Sequence, residues 1–562
     1  SLFLKAMQNY FNQWKICHPY FEDFRNSIIQ YTHIDLNWFF DQWMEGTRKI
    51  DYKIKSVKNG DKENEYKITF KRNGMQMPLD FTVINNEEKQ FSYHIPNDWF
   101  TKKTSATVLP KWYGWDKINP TYTATVTIPD GIENVLIDTT NRLADTYMPD
   151  NALKMPKYFG FDSKRYASPD WKKYEYRIRP DLWYNSYDGF KFGVHLNGNY
   201  MNYKHVFSAT VWFNSGFRQG RNIPPSYLIK YDELSYNFSY RNGIEKFSRN
   251  SFIDIKSRVL DGLILDQIGF EKSDLASKNT FYVNFKVMYR KDNSDLIYLL
   301  YPTEWQPKMF NNTVNVGFEH KYYYSTGSGS LNLGVRSSTF GSDYDYSNIA
   351  FAAVNSTAFG KIDLKTRTYI QYGTGSKLAP ESQLYLAGAN PEEMMENKFS
   401  RSRGFIDNSW LGYGEATNHF QMGGGLNLRG YAGYLVPHEH HDGHILFAYK
   451  GNKGAAINME LEFDRLIKLR PRLFRKWLKI DTYLFGDAGV LNSQHTPTED
   501  VFIDLRADAG IGAAITIKKW GPLETVKPLT IRADFPLFLN KPPFAEKDFV
   551  QMRWVIGINR AF

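Results

Sequence analysis

Four histidines within seven residues, His438, His440, His441 and His444, make the stretch of this chain best suited by residue type to hold a metal. Neutral imidazoles ligate zinc, copper, nickel or iron. A helical zinc site with a general base requires two histidines one turn apart, in the pattern His-Glu-x-x-His. Here His438-Glu439-His440-His441-Asp442 puts Asp442 where the second histidine would stand, and Pro437 and Gly443 oppose a helix. The string therefore reads as a solvated part of a long loop with at most adventitious metal affinity. The acid pairs Glu392-Glu393 and Glu499-Asp500 lie in turn-like stretches and read as solvated too. Gly423 to Gly425 lacks the strand, helix and lysine of a phosphate cradle. His18, His33 and His94 are packing or capping residues, and the single Cys17 allows no internal disulfide. No catalytic residue, metal site or cofactor is assigned to this chain.

The elements that would position any chemistry are mostly strands. Residues Phe549 to Phe562 alternate between two faces. Trp554, Ile556, Ile558 and Phe562 share one parity, and Gln551, Arg553, Gly557 and Asn559 share the other. A strand between lipid and a polar lumen has this pattern, and a chain ending on Phe fits a bacterial outer-membrane barrel. Arg560 breaks the apolar parity and is expected to snorkel to the interface. The 562 residues include 38 Tyr, 41 Phe and 14 Trp, so 17% are aromatic, yet the mean hydropathy is −0.51. A large soluble core would favour Leu, Ile and Val, whereas aromatic girdles at two membrane interfaces account for Tyr and Phe. No run of about 18 apolar residues exists, which excludes a helical membrane span. The net charge of +10 is spread through alternating strands, which argues against nucleic acid and for charge near anionic headgroups.

Four regions follow from the pattern. Residues 1–48 have helical periodicity, broken by His18-Pro19, with Asp35 as a candidate N-cap. Residues 49–148 change to period two, with turns such as Asn59-Gly60-Asp61 and Pro129-Asp130-Gly131, and predict a β-sandwich. Residues 149–171, with Pro149, Pro156 and Pro169, read as a linker without sustained period. Residues 172–562 carry recurring strands of 10 to 15 residues, which at roughly 24 residues per strand and connection predict an antiparallel transmembrane barrel of about sixteen strands. The fold class is mainly β.

Two family resemblances overlie this reading. Gly423-Gly424-Gly425-Leu426-Asn427-Leu428-Arg429-Gly430-Tyr431 resembles the Arg-Gly-Tyr/Phe loop of the barrel superfamily that assembles outer-membrane proteins and exports two-partner-secreted proteins. Phe485-Gly486-Asp487-Ala488-Gly489 is similar to that superfamily's Phe-x-Asp-x-Gly strand. The resemblance implies a long loop, about 388–450, folded into the lumen. It implies a latch in which Arg429, Gly430 and Tyr431 meet Phe485, Asp487 and Gly489, with Arg429 paired to Asp487. His18-Pro19-Tyr20-Phe21-Glu22-Asp23-Phe24 and Asp35-Leu36-Asn37-Trp38-Phe39-Phe40-Asp41-Gln42-Trp43 resemble the region after the catalytic domain of aminopeptidase N-like zinc peptidases. That resemblance implies that residues 1–48 end a catalytic domain, that 49–148 are an immunoglobulin-like sandwich, and that any zinc lies in a domain upstream of Ser1. A segment preceding Ser1 is expected on export grounds as well.

Three functions remain open. The first is the membrane-anchoring part of an outer-membrane zinc aminopeptidase, with peptide substrate only if the upstream domain is active. The second is a structural subunit of an outer-membrane complex with a degenerate peptidase fold. The third is a barrel that inserts or translocates polypeptides. All place the chain in the Gram-negative outer membrane, with lipid and protein partners and no nucleic acid.

Overall fold

The computed structural model describes residues 2–562 apart from 116, 164–168, 220–229, 245–246, 293–295, 405, 411–418, 434–436, 440–444, 467–475, 497–498, 520–527 and 543–547. Strands hold 51% of the residues and helices 11%, so the chain is mainly β. It divides into two units, one built on residues 1–158 and one on 176–562.

The first unit opens with helices α1 (Leu2–Trp14), α2 (Phe21–Thr32) and α3 (Asn37–Met44). Their apolar spacing brings Ala6, Ile28 and Phe40 into one small core, with Phe24 and Phe40 edge to face at 5.9 Å. Asp35 lies one residue outside the cap position held by Leu36, although its Oδ1 still accepts from the Asn37 amide at 3.0 Å. Seven strands follow: β1 (Tyr52–Asn59), β2 (Glu65–Arg72), β3 (Leu79–Asn85), β4 (Gln90–Ile95), β5 (Thr107–Val108), β6 (Thr121–Thr127) and β7 (Ile132–Ile137). They form two sheets, β1-β2-β6 and β5-β4-β3-β7. The inward residues of both sheets share one core, in which the Phe70 and Phe81 rings meet at 4.7 Å.

The second unit is a closed barrel. Its first wall strands are β8 (Lys157–Phe161), β9 (Tyr174–Asn185), β10 (Gly189–Tyr200), β11 (Lys204–Asn214), β12 (Leu234–Gly243) and β13 (Ser251–Leu260). Next come β14 (Leu263–Ser273), β15 (Asn279–Arg290), β16 (Thr313–Tyr324), β17 (Gly327–Ser338), β18 (Asp345–Phe359) and β19 (Ile362–Lys377). From β10 to β19 each strand pairs antiparallel with the next, in several cases through a short hairpin. Asp261 and Gly262 between β13 and β14 both have positive φ, the pair of left-handed residues that a two-residue hairpin turn requires. β8 falls inside the expected linker, whose aromatic Tyr158, Phe159 and Phe161 join the wall.

After β19 the wall pairs next with β25, and the intervening residues turn back onto the inner face. This insertion holds β20 (Leu384–Tyr385), α4 (Pro391–Met394), β21 (His419–Met422), β22 (Pro437–Glu439), β23 (Ile445–Phe447) and β24 (Lys450–Gly451). It begins right after β19, earlier than the expected 388. Its Leu384, Leu386, Leu426, Leu428 and Tyr431 pack on Ala456, Leu491 and Leu539 of the wall. The wall resumes with β25 (Gly454–Glu462), β26 (Leu478–Thr496), β27 (Glu499–Phe502), β28 (Arg506–Ile517), β29 (Leu529–Leu539) and β30 (Val555–Ile558). The closed sheet takes in more strand segments than the sixteen expected, because short pieces such as β8, β21 and β27 join it.

The terminal strand is shorter than the alternation across Phe549–Phe562 suggests. β30 covers four residues and stops where Asn559 takes a left-handed φ of 68°. β30 pairs with β29 on one side and, in parallel, with β21 over His419↔Val555 to Met422↔Ile558. Trp554, Ile556, Ile558 and Phe562 are partly exposed, while Arg553, Val555, Gly557 and Ala561 are buried. The Trp554 ring meets Trp410 of the insertion edge to face at 5.1 Å. Arg560 does not snorkel. The bend at Asn559 brings it onto Glu460 and Glu462 of β25.

Candidate functional site

The inner wall near the end of the chain is built by strict alternation. On β25 the residues Ala456, Asn458, Glu460 and Glu462 are buried, whereas Ile457 is 52% exposed and Met459 43%. β28 and β29 repeat this, with Arg506, Asp508, Arg532 and Asp534 buried and Ile511, Ile515 and Ile531 exposed. This polarity is inverted relative to a water-soluble sheet, which would bury the isoleucines.

On β26 the residues Phe485, Asp487 and Gly489 share the inward parity. Each meets the insertion. Arg429 opens a single 3-10 turn, Arg429–Tyr431, and its side chain is fully buried. Its Nε donates to Asp487 Oδ2 at 2.8 Å, its Nη2 to Asp487 Oδ1 at 2.9 Å, and its Nη1 to Glu460 Oε1 at 2.7 Å. The Arg429 amide also donates to Asp487 Oδ2 at 3.2 Å, and the guanidinium lies 4.0 Å from the Phe485 ring centre. Burial alone would lower the guanidinium pKa. Asp487 and Glu460 outweigh it and hold Arg429 firmly protonated.

The surrounding residues explain the glycines. A Cβ on Gly430 would come within 2.6 Å of Asp508 Cβ and against Leu539, and one on Gly489 would come within 3.0 Å of Leu428 Cδ1. Only bare backbone allows the turn and the wall to approach this closely. Tyr431 donates its hydroxyl to Asn540 Oδ1 at 2.8 Å. Asn458 donates to the carbonyls of Leu426 and Asn427, both at 3.2 Å, and Arg367 donates to that of Gly425 at 2.7 Å. The turn before Arg429 is thereby fixed to two wall strands, β19 and β25. Such a site can hold a loop.

The other site residues fare differently. His438 lies on the backbone of β22, while His440, His441 and His444 lie outside the described residues. Among the described residues, the three carboxylates close enough to share a cation are those of Asp363, Glu462 and Asp464. Asp363 is already paired with Arg465, and Glu462 with Lys365 and Arg560. Glu392 is not solvated, whereas Glu393 stays exposed. Asn390 caps α4, Glu393 completes the capping box, and Glu392 is buried between Lys286 of β15 and Arg336 of β17 at 2.7 Å each. The burial of Glu392 is invisible locally because its counter-charges come from far along the chain. Pro391 after a cappable Asn was the available signal. The side chains of Glu499 and Asp500 lie outside the described residues.

No family model matches the chain, and no curated protein matches it. Solved structures do. BamA from Haemophilus ducreyi lacking POTRA domains 1-3 is 13% identical, with 67% of this chain and 69% of that one covered at a TM-score of 0.32. The outer membrane protein opdK from Pseudomonas aeruginosa is 9% identical, with 90% and 95% covered at 0.32. CdiB from Acinetobacter baumannii is 10% identical, with 66% and 52% covered at 0.27. These likenesses are remote, and the functional reading rests on the geometry of the chain itself. The aminopeptidase resemblance of residues 1–145 finds no support among them.

Proposed function

We propose that this chain is a Gram-negative outer-membrane β-barrel that inserts or translocates polypeptides, and that the Arg429–Asp487 pair is the latch holding its inward loop. The inverted polarity of the wall supports the membrane setting, since exposed Ile457, Met459, Ile511 and Ile531 suit lipid and buried Arg532 and Asp534 suit a filled lumen. The wall is read as sixteen strands, β9 to β19 with β25, β26, β28, β29 and β30, and the two-sheet unit as an immunoglobulin-like module that the barrel carries. Lipid is the first partner, and proteins of a membrane complex are the second. No cofactor is needed.

The observation that carries this function is the bidentate seating of Arg429 on Asp487, from a loop and a strand whose motifs resemble the polypeptide-handling superfamily. The parallel β21–β30 pair fits the same reading. It is four residues long and of the less stable kind, so the terminal strand is the weakest join for an incoming strand to replace. Depleting the protein and quantifying the other outer-membrane proteins by mass spectrometry tests the proposal. A fall in a defined subset of barrels or exported proteins is expected, and unchanged levels across the membrane proteome would reject it.

A further inference from the structure

Arg429 is a base on the insertion seated among wall acids. Elsewhere on the same insertion the polarity reverses. Glu392 on α4 is 7% exposed, and its Oε1 accepts from Lys286 Nζ at 2.7 Å. Its Oε2 accepts from Arg336 Nη1 at 2.7 Å and from Ser382 Oγ at 2.5 Å. Four residues on, Glu396 pairs with Arg258 Nη2 of β13 at 3.2 Å, and Arg258 Nη1 also donates to the Met395 carbonyl at 3.4 Å.

Arg258, Lys286 and Arg336 project inward from β13, β15 and β17. On β17 the neighbouring Leu333 and Val335 are each 45% exposed on the outer face, which fixes the parity. Among the described residues the ion pairs of Arg336 and Lys286 are made with Glu392 alone. Arg336 also lies 5.5 Å from the Tyr346 ring, and Glu381 beside it is occupied by Asn311 Nδ2 at 2.7 Å. Arg336 and Lys286 hold the Glu392 carboxyl well below the usual range against the upward push of burial, so it stays a full anion.

The inward loop therefore has two anchors of opposite sign on different arcs of the wall, with more than thirty residues of chain between Glu396 and Arg429 to let one release without the other. We propose that Glu392 and Glu396 form an acidic arm that masks a cationic arc of the lumen, Arg258, Lys286 and Arg336, and that withdrawing this arm alone opens a path preferring small anions. The inference rests on the lipid-embedded barrel proposed above. An arc carrying three cations, with the two carboxylates of the arm withdrawn, would concentrate anions in a narrow, low-dielectric passage.

The test uses the full chain purified in detergent and reconstituted in planar bilayers under a potassium chloride gradient, comparing the native protein with E392Q/E396Q. The native protein should insert and conduct little. The variant should show severalfold larger current steps and a reversal potential displaced towards that of chloride. Adding R336E should reduce the chloride preference. The swap E392R/R336E should restore the closed state, which separates loss of the anchor from misfolding. Insertion with native-like conductance in E392Q/E396Q, or a cation-selective current, would overturn this inference and leave the barrel reading intact. Protein that folds in detergent yet never enters a bilayer would overturn both.

Discussion

Truncating Arg429 would leave the fully buried Asp487 without its cation inside the wall, and Glu460 with Arg560 alone. Removing one partner of a buried ion pair costs about 3–5 kcal/mol, far more than the pair contributes against an apolar replacement. R429A should therefore lose about that much stability in urea titrations of the full chain in micelles. R429K should recover little, because a lysine cannot reproduce the two-pronged contact with Asp487 while also reaching Glu460. D487N should cost less when made in R429A than when made alone, and this non-additivity isolates the pair. A loss in R429A below about 1 kcal/mol, the range of exposed pairs, would mean that the guanidinium is solvated and the latch assignment is wrong. Asp145 of the sandwich offers a second residue-scale test. Its carboxylate accepts from the amides of Tyr52 and Tyr147, both at 2.8 Å, yet burial prevails and pushes its pKa from 3.8 up to about 6. Between those values the folded chain keeps a proton that the unfolded chain releases, so stability falls as pH rises from about 4 to about 6, by at most about 3 kcal/mol. The opening free energy of the β1 amides, taken from hydrogen exchange corrected for the intrinsic rise of the rate with pH, should fall over that window in the native protein and stay level in D145N. A flat native profile would show that the two amide bonds fix the charged form.

At the scale of elements, what could be read from the sequence was whatever repeats. The period of two in Ile457, Met459 and Leu461 against Asn458, Glu460 and Glu462 states which face of β25 meets lipid, because a one-residue slip would invert the whole strand. Ile457→Arg should therefore cost about 2–4 kcal/mol near mid-membrane, seen as loss of the compact form on unheated gels, whereas Ile457→Phe should be tolerated. Wild-type behaviour of the arginine variant would place that face in water. The motif spacing also brought Arg429 and Asp487 into view, since an Arg-Gly turn and an inward Phe-x-Asp-x-Gly strand describe two surfaces of one contact. The insertion itself has no period. The acidic arm could not be seen because Glu392 meets Lys286 and Arg336 at separations of 106 and 56 residues. An acid two residues after a cappable Asn looks solvated until its distant partners are known. The end of β30 was obscured for a different reason: the alternation of side-chain types continues through Phe562, while the backbone turns at Asn559.

Over the whole molecule, two units with opposite rules of burial share one chain. The sandwich hides Phe70, Phe81 and Val83 in the ordinary way, whereas the barrel hides Arg429, Arg532 and Asp534 and shows Ile457 and Ile511 to its surroundings. A unit with its own apolar core should unfold on its own, and a barrel whose wall closes on itself has no free edge from which to unravel gradually. Heating the full chain in detergent should therefore give two transitions in calorimetry. The lower belongs to the sandwich, within the range of about 45–65 °C common to soluble domains, and the higher belongs to the barrel. Phe70→Ala removes a fully buried ring, worth about 3–5 kcal/mol, and should lower only the first transition. R429A should lower only the second. A single transition displaced by both substitutions would show one cooperative body in place of two. The latch energy would then be shared with the sandwich, and the Arg429–Asp487 contact could no longer be treated as a switch internal to the barrel.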